Sequence, residues 1–446
     1  MKVKVLTRNP DVYIRETKRD IHKVPRNYDP SLHPFEAPRE YVRALNSVKL
    51  ERVFAKPFIG NLDGHRDGIS CLAKHSQQLS IIASGDYSGE VRLWDIPQRK
   101  CKFTVQAHAE GAVKAISFCH DDRVISAGFD KTLKIWSTDD LHLSSGSKEP
   151  LKVLLSDSIV TGISHHRKES KFATCGDVCQ LWDENRSGPV KSLEWGVDSL
   201  LHIAYNPIET FLLASCASDR SIILYDTREA GPIRKIVTKM RSNQLSWNPM
   251  EAYTFSAANE DYNVYSYDTR NLRTPVNIHM DHVMAVTSID YAPTGREFVT
   301  GSFDKSVRIF EVNKGHSREI YHTKRMQHVT NVCWSLDNKY IMSASDEMNI
   351  RIWKARASEK LGVLKPREKA ALEYADSLKQ KFANHPQIKR IARHRQVPKH
   401  IYHHQQQLRA SREKNKRKEA NRRKHSKPGS VPLVGERKKV VLSEQS

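Results

Sequence analysis

One pattern recurs seven times in this 446-residue chain: small residues, an Asp in a tight turn, and alternating apolar residues that end in an aromatic residue. The aromatic residues are spaced 42, 46, 43, 42, 43 and 43 residues apart, at Trp94, Trp136, Trp182, Tyr225, Tyr267, Phe310 and Trp353. A repeat of about 43 residues is the length of a four-stranded propeller blade. Seven such blades form a closed ring of roughly 300 residues. The spacing therefore predicts an all-β fold, a seven-bladed β-propeller, with a segment left over on either side.

Each repeat also predicts its own strands. In the first repeat, the run 90–95 alternates so that Val91 and Leu93 share one face, which is typical of a strand. This run is the third strand of its blade. The repeat around residues 175–183 is shortened before its aromatic residue and is the least regular. We expect residues 53–59, which precede the first repeat, to form the outer strand of the last blade, because a closed ring leaves no long exposed strand edge.

A histidine stands at a nearly constant distance before the aromatic residue in three repeats: 29 residues for His65, and 28 for His108 and His282. With a serine and an aspartate, these histidines form sets that resemble a hydrolase triad: Ser84, His65 and Asp86; Ser126, His108 and Asp130; Ser302, His282 and Asp304. One active site does not repeat around a ring. The repeats resemble WD40 repeats, in which His, Ser or Thr, Asp and Trp form a buried hydrogen-bond network. We therefore expect these residues, with Trp94 and Trp136, to stabilise the blades rather than to catalyse a reaction.

Charge divides the chain into three segments. Residues 1–53 carry 12 Lys and Arg against 7 Asp and Glu, residues 54–353 carry 35 against 36, and residues 354–446 carry 26 against 8. The central segment is therefore nearly neutral, and most of the net charge of +22 follows it. We expect an N-terminal extension over 1–52, the propeller over 53–354 and a basic extension over 355–446.

The sequence disfavours several classes of protein. No apolar run resembles a secretory signal or a membrane-spanning helix, so we expect a soluble intracellular protein with no membrane partner. The seven cysteines fit buried thiols better than disulfides, and we expect no metal site at Cys175 and Cys179 or at histidines 165–166 and 400–404. No hydrolase, nucleotide-binding or metalloprotease motif occurs. This favours an interaction protein with no catalytic residues, no cofactor and no small-molecule substrate.

After residue 354 the strand pattern gives way to a helix pattern. A helix is predicted to begin at Pro366, because proline is favoured in the first turn of a helix. Leu372, Ala375, Leu378 and Phe382 recur at helical spacing. We expect this face to dock on the propeller or on a partner.

A dense series of basic residues follows that helix. Its members are Lys389, Arg390, Arg393, Arg395, Lys414, Lys416, Arg417, Lys418, Arg422, Arg423 and Lys424. So dense a series cannot be buried, and it gains most by neutralising phosphates and releasing counterions. It predicts an RNA-binding arm, a nuclear localisation signal, or both. Because few aromatic residues lie among the basic ones, we expect RNA binding to be salt-sensitive and weakly sequence-specific.

Five stretches outside the repeated pattern are more specific than the repeats themselves: residues 25–30, 50–58, 358–364, 388–394 and 425–430. Together with the repeats, they make almost the whole chain resemble the SOF family of WD-repeat proteins. The resemblance implies a non-catalytic scaffold subunit of the small-subunit processome, in contact with pre-rRNA, the U3 small nucleolar RNA and other processome proteins. It also implies a role in pre-rRNA processing and 18S rRNA maturation during ribosome biogenesis, in the nucleus and nucleolus.

Animal members of that family are also described as DDB1- and cullin-4-associated factors, which are substrate receptors of a ubiquitin ligase. Receptors of this class carry an aromatic residue, Asp, any residue and Arg, and this box docks on the ligase adaptor. The chain has two copies, each with Tyr in place of the usual Trp: Tyr225, Asp226 and Arg228, and Tyr267, Asp268 and Arg270. An arginine offers a partner five donors in a planar fork. The alternative is that each Asp pairs with its own Arg and only caps the strand.

Two functions of different class therefore stay open, the processome scaffold and the receptor of a DDB1–cullin-4 ligase. A receptor needs only the neutral propeller. Ordering long basic extensions costs conformational entropy unless a large polyanion offsets that cost. The charge distribution therefore favours the scaffold as the main role.

Overall fold

The computed structural model describes residues 30–445, apart from 110, 120–122, 139–148, 197–198 and 428. Its contacts divide the chain into two compact units, one of Met1–Lys56 and Ala357–His394, and one of Pro57–Arg356 and Arg395–Ser446. The segment expected to be one basic extension is thus shared between the units. No helix in the described part of the chain is both long and apolar enough to cross a bilayer.

Most of the regular secondary structure of the described residues is strand. In chain order, the strands are β1 (Phe58–Asp63), β2 (Ile69–Lys74), β3 (Ile81–Asp86), β4 (Glu90–Asp95), β5 (Lys100–Gln106), β6 (Val113–Phe118), β7 (Arg123–Gly128), β8 (Thr132–Ser137), β9 (Lys152–Leu155), β10 (Gly162–His165), β11 (Lys171–Cys175), β12 (Cys179–Asp183), β13 (Lys191–Leu193), β14 (Leu200–Tyr205), β15 (Leu212–Ala217), β16 (Ser221–Asp226), β17 (Pro232–Thr238), β18 (Ser242–Trp247), β19 (Thr254–Asn259), β20 (Asn263–Asp268), β21 (Asn277–Met280), β22 (Val286–Tyr291), β23 (Glu297–Ser302), β24 (Val307–Glu311), β25 (Ser317–Tyr321), β26 (Val329–Trp334), β27 (Tyr340–Ser345), β28 (Asn349–Lys354) and β29 (Val441–Gln445).

Helices flank this run of strands. The α-helices are α1 (Glu36–Val53), α2 (Pro366–Lys381), α3 (Pro386–Arg393) and α4 (Lys399–His425), and short 3₁₀ helices cover Pro30–Leu32 and Glu436–Lys439. The prediction that a helix begins at Pro366 is confirmed. Proline also begins α3, because its missing N–H would have no partner in a first turn.

The strands form seven sheets, which we number as blades 1–7. Blades 1–6 contain four successive strands each, from β2 to β25, and blade 7 contains β26, β27, β28 and β1. The innermost strands of neighbouring blades touch, and β26 touches β2, so the ring is closed. The seven-bladed propeller is therefore confirmed. Each predicted aromatic residue lies at the end of a third strand and is at most 5% exposed.

The Asp of the repeated pattern has a local structural role in the turn before the third strand. In blades 2, 4, 5 and 6 its carboxylate accepts a hydrogen bond from the backbone N–H two residues later, at 3.0–3.1 Å: Asp130 from Thr132, Asp219 from Ser221, Asp261 from Asn263 and Asp304 from Ser306. The residue between them has a positive φ in every case: Lys131, Arg220, Tyr262 and Lys305. The Asp satisfies the backbone where the chain turns most sharply, which offsets the strain of the left-handed residue.

The ring is closed by β1, which pairs with β28 as the outer strand of blade 7. The prediction that a strand before the first repeat closes the last blade is confirmed, but its predicted bounds, 53–59, are wrong by several residues: Val53 ends α1, and the strand runs over Phe58–Asp63. Leu62 is fully buried in this strand and packs with Ile350 and Ile352 of β28. The helix continues through Val53 because the helical pattern of α1 runs up to it, which the blade spacing does not reveal.

Side chains near the start of the innermost strands also join neighbouring blades. Five of them donate to a backbone carbonyl of the next blade: Ser70 to Val113, Thr161 to Leu200, Asn243 to Val286, Thr287 to Val329 and Thr330 to Ile69. The bond from Thr330 to Ile69 is 2.6 Å long and joins blade 7 to blade 1. Each bond satisfies a carbonyl that faces the seam between two sheets.

In the other unit, α1, α2 and α3 pack around Ala44, Val48, Leu378 and Ile388. Ion pairs surround this small core: Lys379 lies 2.9 Å from Glu51, and Lys381 lies 2.6 Å from Glu40. Of the predicted apolar face of α2, Leu378 and Phe382 pack here, whereas Leu372 is 44% exposed. The face therefore docks mainly on α1 and α3.

Candidate partner-docking and nucleic-acid surfaces

The first set of predicted residues forms one hydrogen-bond network per blade. In blade 1, His65 Nδ1 lies 3.2 Å from Asp86 Oδ2, and His65 Nε2 lies 2.6 Å from Ser84 Oγ. The indole N–H of Trp94 donates to the same Ser84 oxygen at 2.7 Å. Blade 2 repeats this arrangement with His108, Asp130, Ser126 and Trp136 at 2.9–3.0 Å. These hydroxyls are committed to buried partners, which leaves no exposed nucleophile in either network.

Blade 6 differs from the prediction in one member. His282 bonds to Asp304 at 2.8 Å, but its other ring nitrogen bonds to Thr300 Oγ1, also at 2.8 Å, and not to Ser302. Ser302 instead donates to the backbone carbonyls of Met284 and Ala285. The spacing could have revealed this, because Ser84 and Ser126 each stand ten residues before the aromatic residue of their blade, and Thr300 stands at the same distance before Phe310.

Burial and pairing shift the pKa values of these groups. Burial by itself raises the pKa of Asp304, but the electrostatic interaction and hydrogen bond with His282, together with Arg308 and Ser306, outweigh it and lower the pKa to about 2. The pKa of Asp86 and that of Asp130 are lowered in the same way by their histidines. Burial also lowers the pKa of His108, against the opposing effect of Asp130. The carboxylates are therefore held ionised inside the blades.

The second set is the pair of Asp–Arg boxes at the ends of β16 and β20. The Arg228 guanidinium donates from Nε and Nη2 to the Asp226 carboxylate, at 3.0 and 2.7 Å. Arg270 donates to Asp268 in the same manner, at 3.0 and 2.8 Å. These bonds lower the pKa of Asp226 and of Asp268. The expected internal pairing is thus present in both boxes.

Pairing does not bury the arginines. The Arg228 side chain is 65% exposed and its guanidinium lies 3.8 Å from the centre of the Phe211 ring. The Arg270 side chain is 68% exposed and lies 4.9 Å from the centre of the Tyr253 ring. An aromatic ring on one side and a carboxylate at one edge hold each guanidinium in a fixed plane. Two guanidinium groups with fixed orientation therefore lie on neighbouring blades, and the face of each that is turned away from the aromatic ring is open to a partner.

The tyrosines of the boxes were predicted to contact the partner, and the structure contradicts this. Tyr225 is 1% exposed and Tyr267 is fully buried. The Tyr225 hydroxyl lies 3.1 Å from Ser215 Oγ, inside the blade. Both rings occupy the position at which the other blades have Trp or Phe, so they pack the core and leave only the Asp–Arg part of the box for docking.

The third set, the basic series, is divided between the two units. Lys389, Arg390 and Arg393 lie on α3 in the unit of three helices, whereas the remaining members belong to the propeller unit. Arg395 is 17% exposed, donates to the carbonyl of Arg318 and lies 3.5 Å from Glu319. It therefore holds the chain against blade 6 and is not available to RNA, contrary to the prediction.

Helix α4 carries the rest of the series. Lys and Arg outnumber Asp and Glu on it by 10 to 2. Its first turn is held by the fully buried Ile401, and beyond that turn nearly every side chain is exposed. Six predicted residues are exposed in this way: Lys414, Lys416, Arg417, Lys418, Arg422 and Lys424. Arg423 is less so and lies 3.9 Å from Glu419. Because these positions are spread over most of the helix circumference, α4 presents a broad cationic surface.

Two further features were not predicted. A cavity of about 620 Å³ lies among the innermost strands and contains the ion pair of Lys74 and Asp290, whose atoms are 2.6 Å apart. Between blades 2 and 3, His165 Nε2 lies 2.8 Å from Glu184 Oε1, with the thiol of Cys119 close by. These three donors could hold a metal ion, but the hydrogen bond already satisfies His165 and Glu184. At the separate pair of Cys175 and Cys179, burial raises the pKa of the Cys175 thiol to about 12. This disfavours metal binding at Cys175, because the thiolate is the form that binds a metal.

Comparisons with known proteins agree with this architecture. The Sof1-like domain family matches residues 355–441, and the WD domain, G-beta repeat family matches residues 56–95, 99–137, 273–311 and 317–354. The DDB1- and CUL4-associated factor 13 of Homo sapiens is 61% identical over 445 residues, which covers 99% of each chain. The protein of that name from Danio rerio is 60% identical over 444 residues, again 99% of each chain. The one from Dictyostelium discoideum is 48% identical over 404 residues, 90% of each. The resemblance seen in the sequence is thereby confirmed, and the chain belongs to the family of WD-repeat proteins with a Sof1-like domain.

Proposed function

We propose that this chain is a non-catalytic scaffold subunit of the small-subunit processome, which holds pre-rRNA and the U3 small nucleolar RNA through helix α4 and binds processome proteins through its propeller. The resemblance to the SOF family supports the choice of particle. The exposed cationic surface of α4 supports the choice of ligand, and it is the observation on which the proposal mainly rests.

The physical argument concerns what can balance the charge of α4. Ten basic residues lie on 27 helical positions, and only two acidic residues share them. Glu419 is already paired with Lys439 at 3.2 Å. Exposed cations at this density repel one another, and a phosphate backbone relieves that repulsion while it releases counterions. The same surface is suited to a nuclear import receptor, so we also propose a nuclear and nucleolar location for the protein.

A binding experiment with the purified full chain tests the RNA part. The probe is a single-stranded RNA of about 20 nucleotides without defined structure, titrated from about 50 to about 200 mM salt. Changing Lys414, Lys416, Arg417 and Lys418 to Gln is expected to lower the slope of log affinity against log salt by up to about 3, at roughly 0.7 per phosphate contact. The control changes four exposed basic residues of the propeller unit to Gln: Lys100, Lys168, Lys324 and Arg325.

A second experiment tests the particle itself. RNA crosslinked to the full chain in cells is sequenced and compared with RNA crosslinked to the α4 variant, which carries a neutral nuclear targeting signal. We expect pre-rRNA and U3 crosslinks that are lost in the variant. If the control with four changed propeller residues loses the same crosslinks, the proposal that α4 contacts the RNA is wrong. If the unaltered chain gives no such crosslinks, the basic helix serves only for localisation.

The exposed arginine planes favour a second function, the receptor of a DDB1–cullin-4 ubiquitin ligase. The names of the relatives place them with this ligase, and Arg228 and Arg270 supply two fixed donor planes on adjacent blades. Changing both to Ala is expected to weaken binding of the full chain to purified DDB1 by ~10-fold or more, as for arginines at the centre of an interface. Arg186, exposed in the corresponding loop of blade 3, provides the matched control as Arg186→Ala. Equal DDB1 binding by the unaltered chain, the double arginine variant and the control would contradict the proposed receptor function.

A further inference from the structure

The two box loops are held in place by different parts of the chain. The loop after β16, which carries Arg228, is held by Lys191 of blade 3. The Lys191 ammonium group donates to the backbone carbonyl of Thr227 at 3.3 Å and also to that of Glu229. The loop that carries Arg228 is therefore held by a residue of a neighbouring blade.

The loop after β20, which carries Arg270, is held by an arginine that also faces the strand β29. Arg234 donates from Nη1 to the backbone carbonyl of Thr269 at 3.2 Å. A carboxylate oxygen of Glu444, in β29, lies 3.9 Å from the same Nη1. The other Glu444 oxygen lies 3.3 Å from Arg273, which follows Arg270 by three residues in this loop. One carboxylate thus bridges two cations that fix the loop on either side of Arg270.

Apolar packing reinforces this contact. Strand β29 pairs with β17 as a fifth strand on the outer edge of blade 4. Val440, just before it, is 7% exposed and lies in one hydrophobic cluster with Tyr265 and Leu272. Leu272 is 1% exposed and stands two residues after Arg270. The main chain that carries Arg270 is therefore packed against residues that the Sof1-like segment brings to blade 4.

We infer that residues 440–445 are a positioning element for Arg270, so that docking at blade 5 depends on β29 whereas docking at blade 4 does not. This rests on the proposed receptor function, in which both arginines contact the ligase adaptor. With Lys439, the residue before it, the segment also connects the two candidate surfaces, because Lys439 pairs with Glu419 of α4 while Glu444 faces the Arg270 loop. At blade 5, the docking surface is therefore completed by residues from outside the seven blades.

The test is a set of double-mutant cycles with the full chain and purified DDB1. Glu444→Gln keeps the side-chain size and removes the charge, and it is expected to weaken binding ~2- to 4-fold, the range of one partly exposed ion pair. Removal of residues 440–446 is expected to weaken binding ~5- to 20-fold, because the packing of Val440 is lost as well. Glu436→Gln is the matched control, since Glu436 lies in the 3₁₀ helix just before residues 440–445 and its side chain is 63% exposed.

The pairing of variants decides the outcome. The loss from Glu444→Gln should disappear in an Arg270→Ala background and persist in full in an Arg228→Ala background. Equal losses in both backgrounds would overturn the inference, because they indicate a general effect on the propeller. No loss in either the substitution or the truncation would overturn it as well.

Amide hydrogen exchange separates this inference from the receptor function. In the free protein, Glu444→Gln should speed exchange at Thr269, Arg270 and Asn271 by ~3-fold or more while leaving Arg228 and Glu229 unchanged. If neither arginine matters for DDB1 binding, the receptor function fails, and faster exchange in the Arg270 loop still supports the positioning role. Unchanged exchange there overturns the positioning role whatever DDB1 does.

Discussion

The propeller and helix α4 place their polar side chains under opposite conditions. Inside the blades, His282 and Asp304 are at most 3% exposed, and each has a hydrogen-bond partner. On α4, most of the ten basic residues are exposed, and two acidic residues share the helix with them. Removing one partner of a buried pair leaves the other buried without a hydrogen-bond partner, which costs free energy of unfolding. Removing an exposed charge leaves no buried group without a partner. The stability of the molecule therefore depends on the propeller networks, and its charge can change on α4 without loss of fold.

The largest effect is expected where the ring closes. Deletion of residues 1–63 removes β1, exposes the edge of β28 and uncovers the cluster around Ile350 and Ile352. We expect this protein to aggregate or to lose its cooperative thermal transition. A deletion of residues 1–34, which spares α1 and β1, should melt within ~2 °C of the full chain, because it spares every strand of the ring.

Leu62→Asp tests the same strand without a deletion. Leu62 is fully buried, so a charge there should cost about 4 kcal/mol or more of unfolding free energy. A cooperative urea transition at an unchanged midpoint in this variant would contradict closure by β1.

The next effect concerns a single network. His282→Ala leaves Asp304 and Thr300 buried without their shared partner, and we expect a loss of about 3 kcal/mol in the unfolding free energy. Urea denaturation at neutral pH measures it. His403→Ala, at an exposed position of α4, is the control and should change the free energy by less than about 0.5 kcal/mol. Equal losses of unfolding free energy in the two variants would contradict the expectation that buried propeller networks, and not exposed α4 side chains, stabilise the fold.

The same network predicts how acid unfolds the protein. The folded pKa of Asp304 is lowered to about 2, below the value of an ordinary aspartate. A lowered pKa means that the stabilisation is present above about pH 4 and is lost as the pH falls towards about 2, by about 2 kcal/mol in total. Urea midpoints measured in steps from about pH 5 down to about pH 2 should therefore fall less steeply in Asp304→Asn than in the unaltered protein. Parallel curves would show that Asp304 does not contribute to acid unfolding.

The smallest effect on stability is expected on α4. Changing Lys414, Lys416, Arg417 and Lys418 to Gln removes four exposed charges from the helix surface. We expect the unfolding free energy to change by less than about 0.5 kcal/mol, even though RNA binding falls. A loss above about 1 kcal/mol, measured by urea denaturation, would mean that these side chains stabilise the fold and would weaken the division between the two regions.

Short-range patterns predicted the elements well. The seven aromatic positions, the third strands and the start of α2 at Pro366 follow from periodicity and from the preferences of single residues within a few positions. The hydroxyl of each network could also be read from spacing, because a Ser or Thr stands ten residues before the aromatic in blades 1, 2 and 6. Applied to blade 6, that rule selects Thr300 over Ser302.

Contacts between distant segments were not predictable in this way. Arg395 and Lys416 look alike in a basic series, but only Arg395 meets Glu319, 76 residues away. Tyr225 and Tyr267 occupy core positions, although the box motif suggested contact residues. Strand β29 has no blade pattern of its own, and its partner β17 lies far earlier in the chain.

The sequence by itself determined the number of blades, the residues at their centres and the separation of a neutral ring from basic segments, because these depend on repeat length, alternation and composition. The tertiary structure alone decided where the strand that closes the ring begins and ends, that β29 extends blade 4 and that Arg228 and Arg270 remain exposed while Arg395 does not. The physical reason is that exposure and pairing are properties of residues brought together from far apart in the chain, and no local preference encodes which of several similar cations will meet a carboxylate.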